Sequence, residues 1–335
     1  MRLLVLGGTQ FVGRHIVSAA FERGHAVTLF HRGSRDPFPQ CENILGDRTT
    51  DLERLQGEWD AVIDTCGYVP RVVELSAAHL EPLVKRYCFI SSVSAYASLK
   101  GSPDETAALG QLEEETEEVT GGSYGPLKAQ CERVVTEIFG ARGLLIRPGL
   151  VVGPYDPTDR FTYWVDRVAR GGAVLAPEGA AQQTCFIDAR DLGRFVIHAL
   201  ESDLSGTFNA DGRGQPLPDV LEVMRSVSDS DATFTWATRE FLLEQTVRPW
   251  AGADSLPLWT VGDPIGTNIG KALSAGLTHR PLEDTVRDTL EWLRSRGADH
   301  IWRSGISLMR ESALLEAWES EGARFLNSER ASTRK

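Results

Sequence analysis

The chain has 335 residues, 41% hydrophobic and 24% charged, with a formal net charge of -12. That length and balance suit a soluble globular protein of two units or one enlarged α/β domain. The acidic excess argues against a nucleic-acid partner, whose phosphates call for a basic face. No apolar run approaches the ~20 residues of a membrane span. Met1 leads directly into an apolar strand, so no signal peptide is expected, and Cys41, Cys66, Cys88, Cys131 and Cys185 show no pair at metal spacing. The expectation is a cytoplasmic protein with reduced thiols, no membrane partner and no metal.

Leu3 to Leu6 run straight into Gly7-Gly8-Thr9-Gln10, and an amphipathic segment follows from Phe11 to Arg23. Strand, tight turn and helix in that order point the free N–H groups of the helix's first turn at an anion, above all a pyrophosphate. Gly7 and Gly13 fill two of the three glycine places of a dinucleotide fingerprint, while Gln10 stands in the middle one. Ala26–His31 reads as the second strand. Its end, His31-Arg32-Gly33-Ser34-Arg35, carries no carboxylate for a ribose 2′-hydroxyl and two guanidiniums instead, which favours NADP over NAD.

Asn43–Asp47 reads as a short third strand, with Asp47 either meeting the adenine amino group or opening a helix. Ala61–Thr65 is a buried fourth strand that leads into Cys66 and Gly67 beside the cofactor. A helix over Pro70–Leu83 and a fifth strand over Tyr87–Ser91 continue the alternation, which calls for a parallel sheet with right-handed crossovers. The acidic stretch between Ser98 and Gly122 reads as a mobile surface loop. Ser123-Tyr124-Gly125-Pro126-Leu127-Lys128 then opens a helix to Phe139, with Pro126 tolerable in the first turn. Tyr124 and Lys128, four apart, share one helix face, where an ammonium lowers a phenol's pKa.

Gly7-Gly-Thr-Gln-Phe-Val-Gly13, Ser92, Tyr124-Gly-Pro-Leu-Lys128 and Leu145–Pro154 occur in one order. With them the chain resembles an extended or atypical short-chain dehydrogenase/reductase, of the NAD-dependent epimerase/dehydratase family. Gln10 resembles the isoflavone-reductase-like bacterial branch. The resemblance implies a Rossmann-type doubly wound parallel sheet with a smaller C-terminal substrate domain. It implies a catalytic Ser92 that orients the substrate oxygen, Tyr124 as general acid/base, and Lys128 binding the nicotinamide ribose. The cofactor site would comprise Gly7, Thr9, Gln10, Phe11, Val12 and Gly13; His31, Arg32, Arg35, Asp47 and Arg48; Thr65, Cys66 and Gly67; and Ser91, Tyr124, Lys128 and Pro148. A homodimer through a four-helix interface is the family habit.

Beyond Gly149 the alternation lapses. Arg160–Arg170 is an amphipathic helix with an apolar stripe of Phe161, Trp164, Val165 and Val168, which leaves Arg160 and Tyr163 as substrate-cleft candidates. Thr184–Asp191 resembles the family's strand and helix start before a return helix over Leu192–Leu200. A strand over Gly206–Asn209 and helices over Leu217–Ser228, Pro281–Arg296 and Ser307–Phe325 follow, with a frayed tail from Asn327. The expected division is a dinucleotide-binding core over 1–150 with return elements near 184–209, a substrate cap over 151–183 and 210–300, and a C-terminal helix and tail over 301–335.

The expected function is an NADP-dependent oxidoreductase acting on a carbonyl or secondary alcohol of a small metabolite, with NAD the second choice. A nucleotide-sugar epimerase with tightly bound NAD is the alternative. A 4,6-dehydratase would want an acidic pair after the serine, where this chain has Val93-Ser94. A non-catalytic cofactor-binding or RNA-binding protein is the remaining class, since the branch also resembles chloroplast RNA-binding proteins. The net charge and the Ser92, Tyr124, Lys128 set argue against it.

Overall fold

A computed structural model describes residues 1–33, 38–178, 183–262, 266–297 and 300–332, with side chains described as far as residue 320. Elements are numbered in chain order. The chain divides into two compact units, Met1–Tyr155 with Cys185–Gly214 and Asp263–Arg280, and Asp156–Thr184 with Gln215–Gly262 and Pro281–Lys335.

The first unit is built on strands β1 (Arg2–Leu6), β2 (Ala26–His31), β3 (Glu42–Leu45), β4 (Trp59–Asp64), β5 (Val84–Ile90), β6 (Gly143–Pro148) and β11 (Gly206–Ala210). They form one seven-stranded sheet in the order β11-β6-β5-β4-β1-β2-β3. Every pairing is parallel, with Leu3 opposite both Val27 and Ala61. Helices α1 (Phe11–Glu22), α2 (Pro70–Leu80), α3 (Tyr124–Phe139) and α5 (Ala189–Glu201) cover its faces. The strand period of two sorts the core. Leu3 and Val5 pack with Ile16, Val17, Phe195 and Val196 on one face. Leu4 and Leu6 pack with Val73, Ala77, Cys131 and Val135 on the other. That is why β1 reads as an unbroken apolar run, and each such leucine contributes ~1.5–3 kcal/mol. This is the doubly wound parallel sheet expected.

Two expectations for this unit change. The stretch after Ser98 is tied down rather than loose: Tyr96 bridges Leu109, Asn209 N–H donates to Glu105 Oε1 at 2.9 Å, and Asn209 Nδ2 donates to Pro103 O at 3.2 Å. Residues 263–280 belong to the first unit instead of the cap. Helix α8 (Gly270–Ser274) belongs here, and Lys271 Nζ donates to the Thr207 carbonyl of β11 at 2.6 Å.

In the second unit, helices α4 (Thr162–Ala169), α6 (Leu217–Ser228) and α9 (Leu282–Ser295) pack together, and β8 (Ala173–Pro177) pairs in parallel with β13 (Thr233–Ala237). The last helix, α10 (Leu308–Ser332), joins this unit and continues through residues expected to fray. It is anchored by a buried pair, Arg167 Nε to Glu311 Oε2 at 2.5 Å, while Glu311 Oε1 accepts from Leu175 N–H at 3.0 Å. Among the described residues no helix is long and apolar enough to cross a membrane.

Candidate functional site

The turn between β1 and α1 requires its glycines. Gly7 has φ +92°, and a Cβ there would lie 2.6 Å from Thr65 Oγ1. A Cβ on Gly13 would lie 2.8 Å from Gly8 Cα, so the helix sits on the turn as only hydrogen at that position allows. Thr65 fastens the arrangement: its hydroxyl donates to Leu6 O at 2.8 Å and accepts from Gly8 N–H at 3.3 Å. Gln10 precedes the helix with no side-chain cap, which leaves the first-turn amides of Phe11, Val12 and Gly13 without an intrahelical partner. Thr9 and Gln10 lie in the turn itself.

At the carboxyl end of β2 the structure departs from the expected 2′-phosphate cluster. His31 is buried, and its Nδ1 accepts from Gly33 N–H at 3.1 Å, so its Nε2–H is the donor to Asn43 Oδ1 at 2.9 Å. The imidazole is thus held between the Gly33 amide and the Asn43 side chain. Arg32 is exposed, with Asp47 close enough for their charges to interact. Arg35 lies outside the described residues. Asp47 is itself committed, since Oδ1 accepts from both Thr49 N–H and Thr49 Oγ1. Those bonds hold its carboxyl below the usual range.

Arg48 also departs from its expected role. Its guanidinium is turned inward, where Nη1 and Nη2 each donate to Asp64 at 2.8 Å. Asp64 ends β4, is fully buried, and accepts from Tyr87 Oη at 2.8 Å and from Cys66 N–H at 3.1 Å. The sequence does carry a signal for this: a carboxylate inside a buried strand demands a cation. Burial, with the Asp64 carboxylate next, pushes the Cys66 thiol up to about 11.

The carboxyl ends of β4 and β5 and the first turn of α3 converge. Lys128 is 3% exposed, and its ammonium donates to Gly67 O and to Ile90 O, both at 2.7 Å, which leaves one of its three N–H donors without an acceptor among the described residues. It stands 4.2 Å from the Phe89 ring centroid. Burial lowers the Lys128 pKa to about 8. Tyr124, one turn earlier, is half-buried with its ring 6.4 Å from that of Tyr68. Ser92 Oγ accepts from Ser94 N–H at 3.1 Å, and no described residue accepts its own hydrogen. Ser91 Oγ is buried with no partner among the described residues. Pro148 ends β6, the strand beside β5.

The two substrate candidates lie in the second unit. Arg160 Nε donates to Thr158 Oγ1 at 3.2 Å, and its guanidinium stacks 5.1 Å from the Trp250 ring centroid. Tyr163, by contrast, is 6% exposed. Its ring meets Trp164 and Trp302 edge-on, and Gly305 is so close that a Cβ there would lie 2.2 Å from it. It is a packing residue of this unit.

The first unit's donor set fits a dinucleotide. A methyl group at Gly7 or Gly13 would fill the cradle, the helix start has uncapped amides, and the buried Ser91 hydroxyl, without a partner among the described residues, belongs to the residue after Ile90, whose carbonyl holds Lys128.

The model of the family described as NAD dependent epimerase/dehydratase matches residues 64–210. UDP-glucuronic acid 4-epimerase from Bacillus cereus, solved with NAD, superposes with a TM-score of 0.67 at 17% identity, over 90% of this chain and 100% of that one. UDP-glucose 4-epimerase from Thermus thermophilus, also solved with NAD, gives 0.64 at 17% identity over 89% and 100%. Among curated proteins, the chloroplast stem-loop binding protein of 41 kDa b from Arabidopsis thaliana is 23% identical over 234 residues, 63% of this chain. The match spans 58% of that relative's length.

Proposed function

We propose, from the match of residues 64–210 to the NAD dependent epimerase/dehydratase family and from the geometry around Lys128, that the chain is a nicotinamide-dinucleotide enzyme moving hydride at a secondary alcohol or carbonyl carbon of a small metabolite. The observation that carries this reading is Lys128, a buried ammonium pinned at the ends of β4 and β5 one helical turn behind Tyr124. A buried ammonium held on two carbonyls with a donor to spare suits a ligand hydroxyl, and its charge favours a nearby phenolate.

The dinucleotide supplies the hydride acceptor or donor. Ser92 donates its hydroxyl hydrogen to the substrate oxygen and steadies charge that develops there. Tyr124 accepts the alcohol proton as hydride leaves the carbon, and returns it in the reverse direction. Gly7, Gly13 and the α1 amides would hold the pyrophosphate. NAD is the first choice of cofactor: the two epimerases named above were solved with it, His31 is occupied within its own loop, and Arg32 has a carboxylate neighbour. NADP is the second choice, resting on the exposed Arg32.

A nucleotide-sugar 4-epimerase, in which the hydride returns to the same carbon, is the second reading, favoured by the fold shared with those epimerases. RNA binding, suggested by the chloroplast relative's name, fits poorly with a net charge of -12.

Mass spectrometry of the purified protein tests these readings, followed by an alcohol and carbonyl panel read at nicotinamide absorbance. Retained NAD with no net absorbance change supports the epimerase, and exchangeable cofactor with turnover supports the oxidoreductase. A chain that binds neither NADH nor NADPH overturns both.

A further inference from the structure

Gly67 is the residue on which the Lys128 ammonium rests, and its own position is set from beneath. A Cβ on Gly67 would lie 2.9 Å from Asp64 Oδ2, 2.8 Å from Val73 and 2.6 Å from the Phe89 ring. The Asp64 carboxylate therefore lies directly against the Gly67 backbone, and it also accepts from the preceding amide, Cys66 N–H, at 3.1 Å. That carboxylate is bonded from several sides. Both oxygens are taken by the Arg48 fork at 2.8 Å each, Tyr87 Oη donates to Oδ2 at 2.8 Å, and Arg48 Nη2 also donates to Ser76 Oγ on α2. The Arg48 side chain is 10% exposed and Asp64 is not exposed at all.

We infer that Arg48 is a positioning residue: its fork on Asp64 fixes the Cys66–Gly67 backbone and, through the Gly67 carbonyl, the Lys128 ammonium. A buried ion pair of this kind adds little net stability compared with a well-packed apolar pair, but it fixes geometry when every oxygen is bonded. A lysine at 48 would keep the charge and lose the fork. The inference rests on the reading that Lys128 faces a bound dinucleotide.

The test is a double-mutant cycle on dinucleotide affinity, with NADH and NADPH titrated by fluorescence against the unmutated chain, Arg48→Lys, Lys128→Met and the double variant. The expected result is that Arg48→Lys weakens binding about tenfold, and that Lys128→Met costs much less in its presence than alone, the non-additivity of residues acting through one contact. Should Arg48→Lys fail to fold, the cycle is run with Tyr87→Phe, which removes one bond to Asp64 and strands no charge. A coupling of the same sign supports the inference. Affinity losses that simply multiply, with Tm lowered, overturn it and make Arg48 structural only. If the unmutated chain binds neither dinucleotide, this inference and the cofactor reading fall together. Binding with multiplicative losses removes this inference alone.

Discussion

Lys128 Nζ lies 2.7 Å from Gly67 O and 2.7 Å from Ile90 O, so one ammonium joins the carboxyl ends of two adjacent strands. Burial lowers its pKa to about 8, below an ordinary lysine. The folded chain therefore holds fewer protons than the unfolded chain between about 8 and the usual lysine value, and this residue's contribution to stability improves as pH rises through that window. Ligand binding should run the other way. Dinucleotide affinity is expected to fall as pH rises through about 8 and the ammonium is lost, and the decline should vanish in Lys128→Met. Titrations at stepped pH, with Tm measured alongside, check both signs.

Tyr124→Phe keeps the ring and removes the proton carrier. Turnover should drop about 10²–10⁴-fold while Tm and dinucleotide affinity hold. A tyrosine with only a packing role would show the reverse pattern, reduced stability with an unchanged rate.

Isothermal calorimetry on the unmutated chain is expected to rank NADH above NADPH. Arg32→Ala should leave NADH binding unchanged and weaken NADPH by about tenfold, since a charge-assisted arginine–phosphate bond is worth about 1.5–3 kcal/mol. NADPH binding the more tightly in the unmutated chain would reverse the order of cofactors.

Gly13→Ala forces a methyl group to within 2.8 Å of Gly8 Cα. The helix must then lift off the turn, so a stability loss of about 1–3 kcal/mol and a clear loss of dinucleotide affinity are expected together. Thermal unfolding and fluorescence titration of the one variant report both.

Arg147 and Glu132 form a buried pair at 2.9 and 2.6 Å that ties α3 to β6. Glu132→Ala would strand the guanidinium, and a loss of about 3–5 kcal/mol in urea unfolding is expected. Lys128 sits one turn earlier on α3, so affinity for the dinucleotide should weaken too.

The features legible in the sequence are those written within a few residues. The Gly7 turn, the unbroken apolar run of β1 and the four-residue spacing of Tyr124 and Lys128 each need only local geometry. Arg48 was open to misreading because its partner lies 16 residues away, and only the placement of β4 inside the sheet brings Asp64 beneath it. Tyr163 is covered by residues still more remote in sequence. It falls outside the apolar stripe of α4, yet Trp302 and Gly305, well over a hundred residues later, cover it from the other side. His31 stands at the strand end as a basic group would at a cofactor edge, and only the fold of the turn brings the Gly33 amide onto its Nδ1.

The first unit is assembled from three separated stretches of chain, the last of them 263–280. During synthesis, β1 to β6 can emerge and pair early, but the β6 edge waits for β11. Lys271, which bonds to the β11 Thr207 carbonyl, comes later still, after most of the second unit's sequence has been made. A ribosome halted before residue 263 would thus hold a nascent chain whose sheet is paired but whose β11 backbone lacks that closing contact.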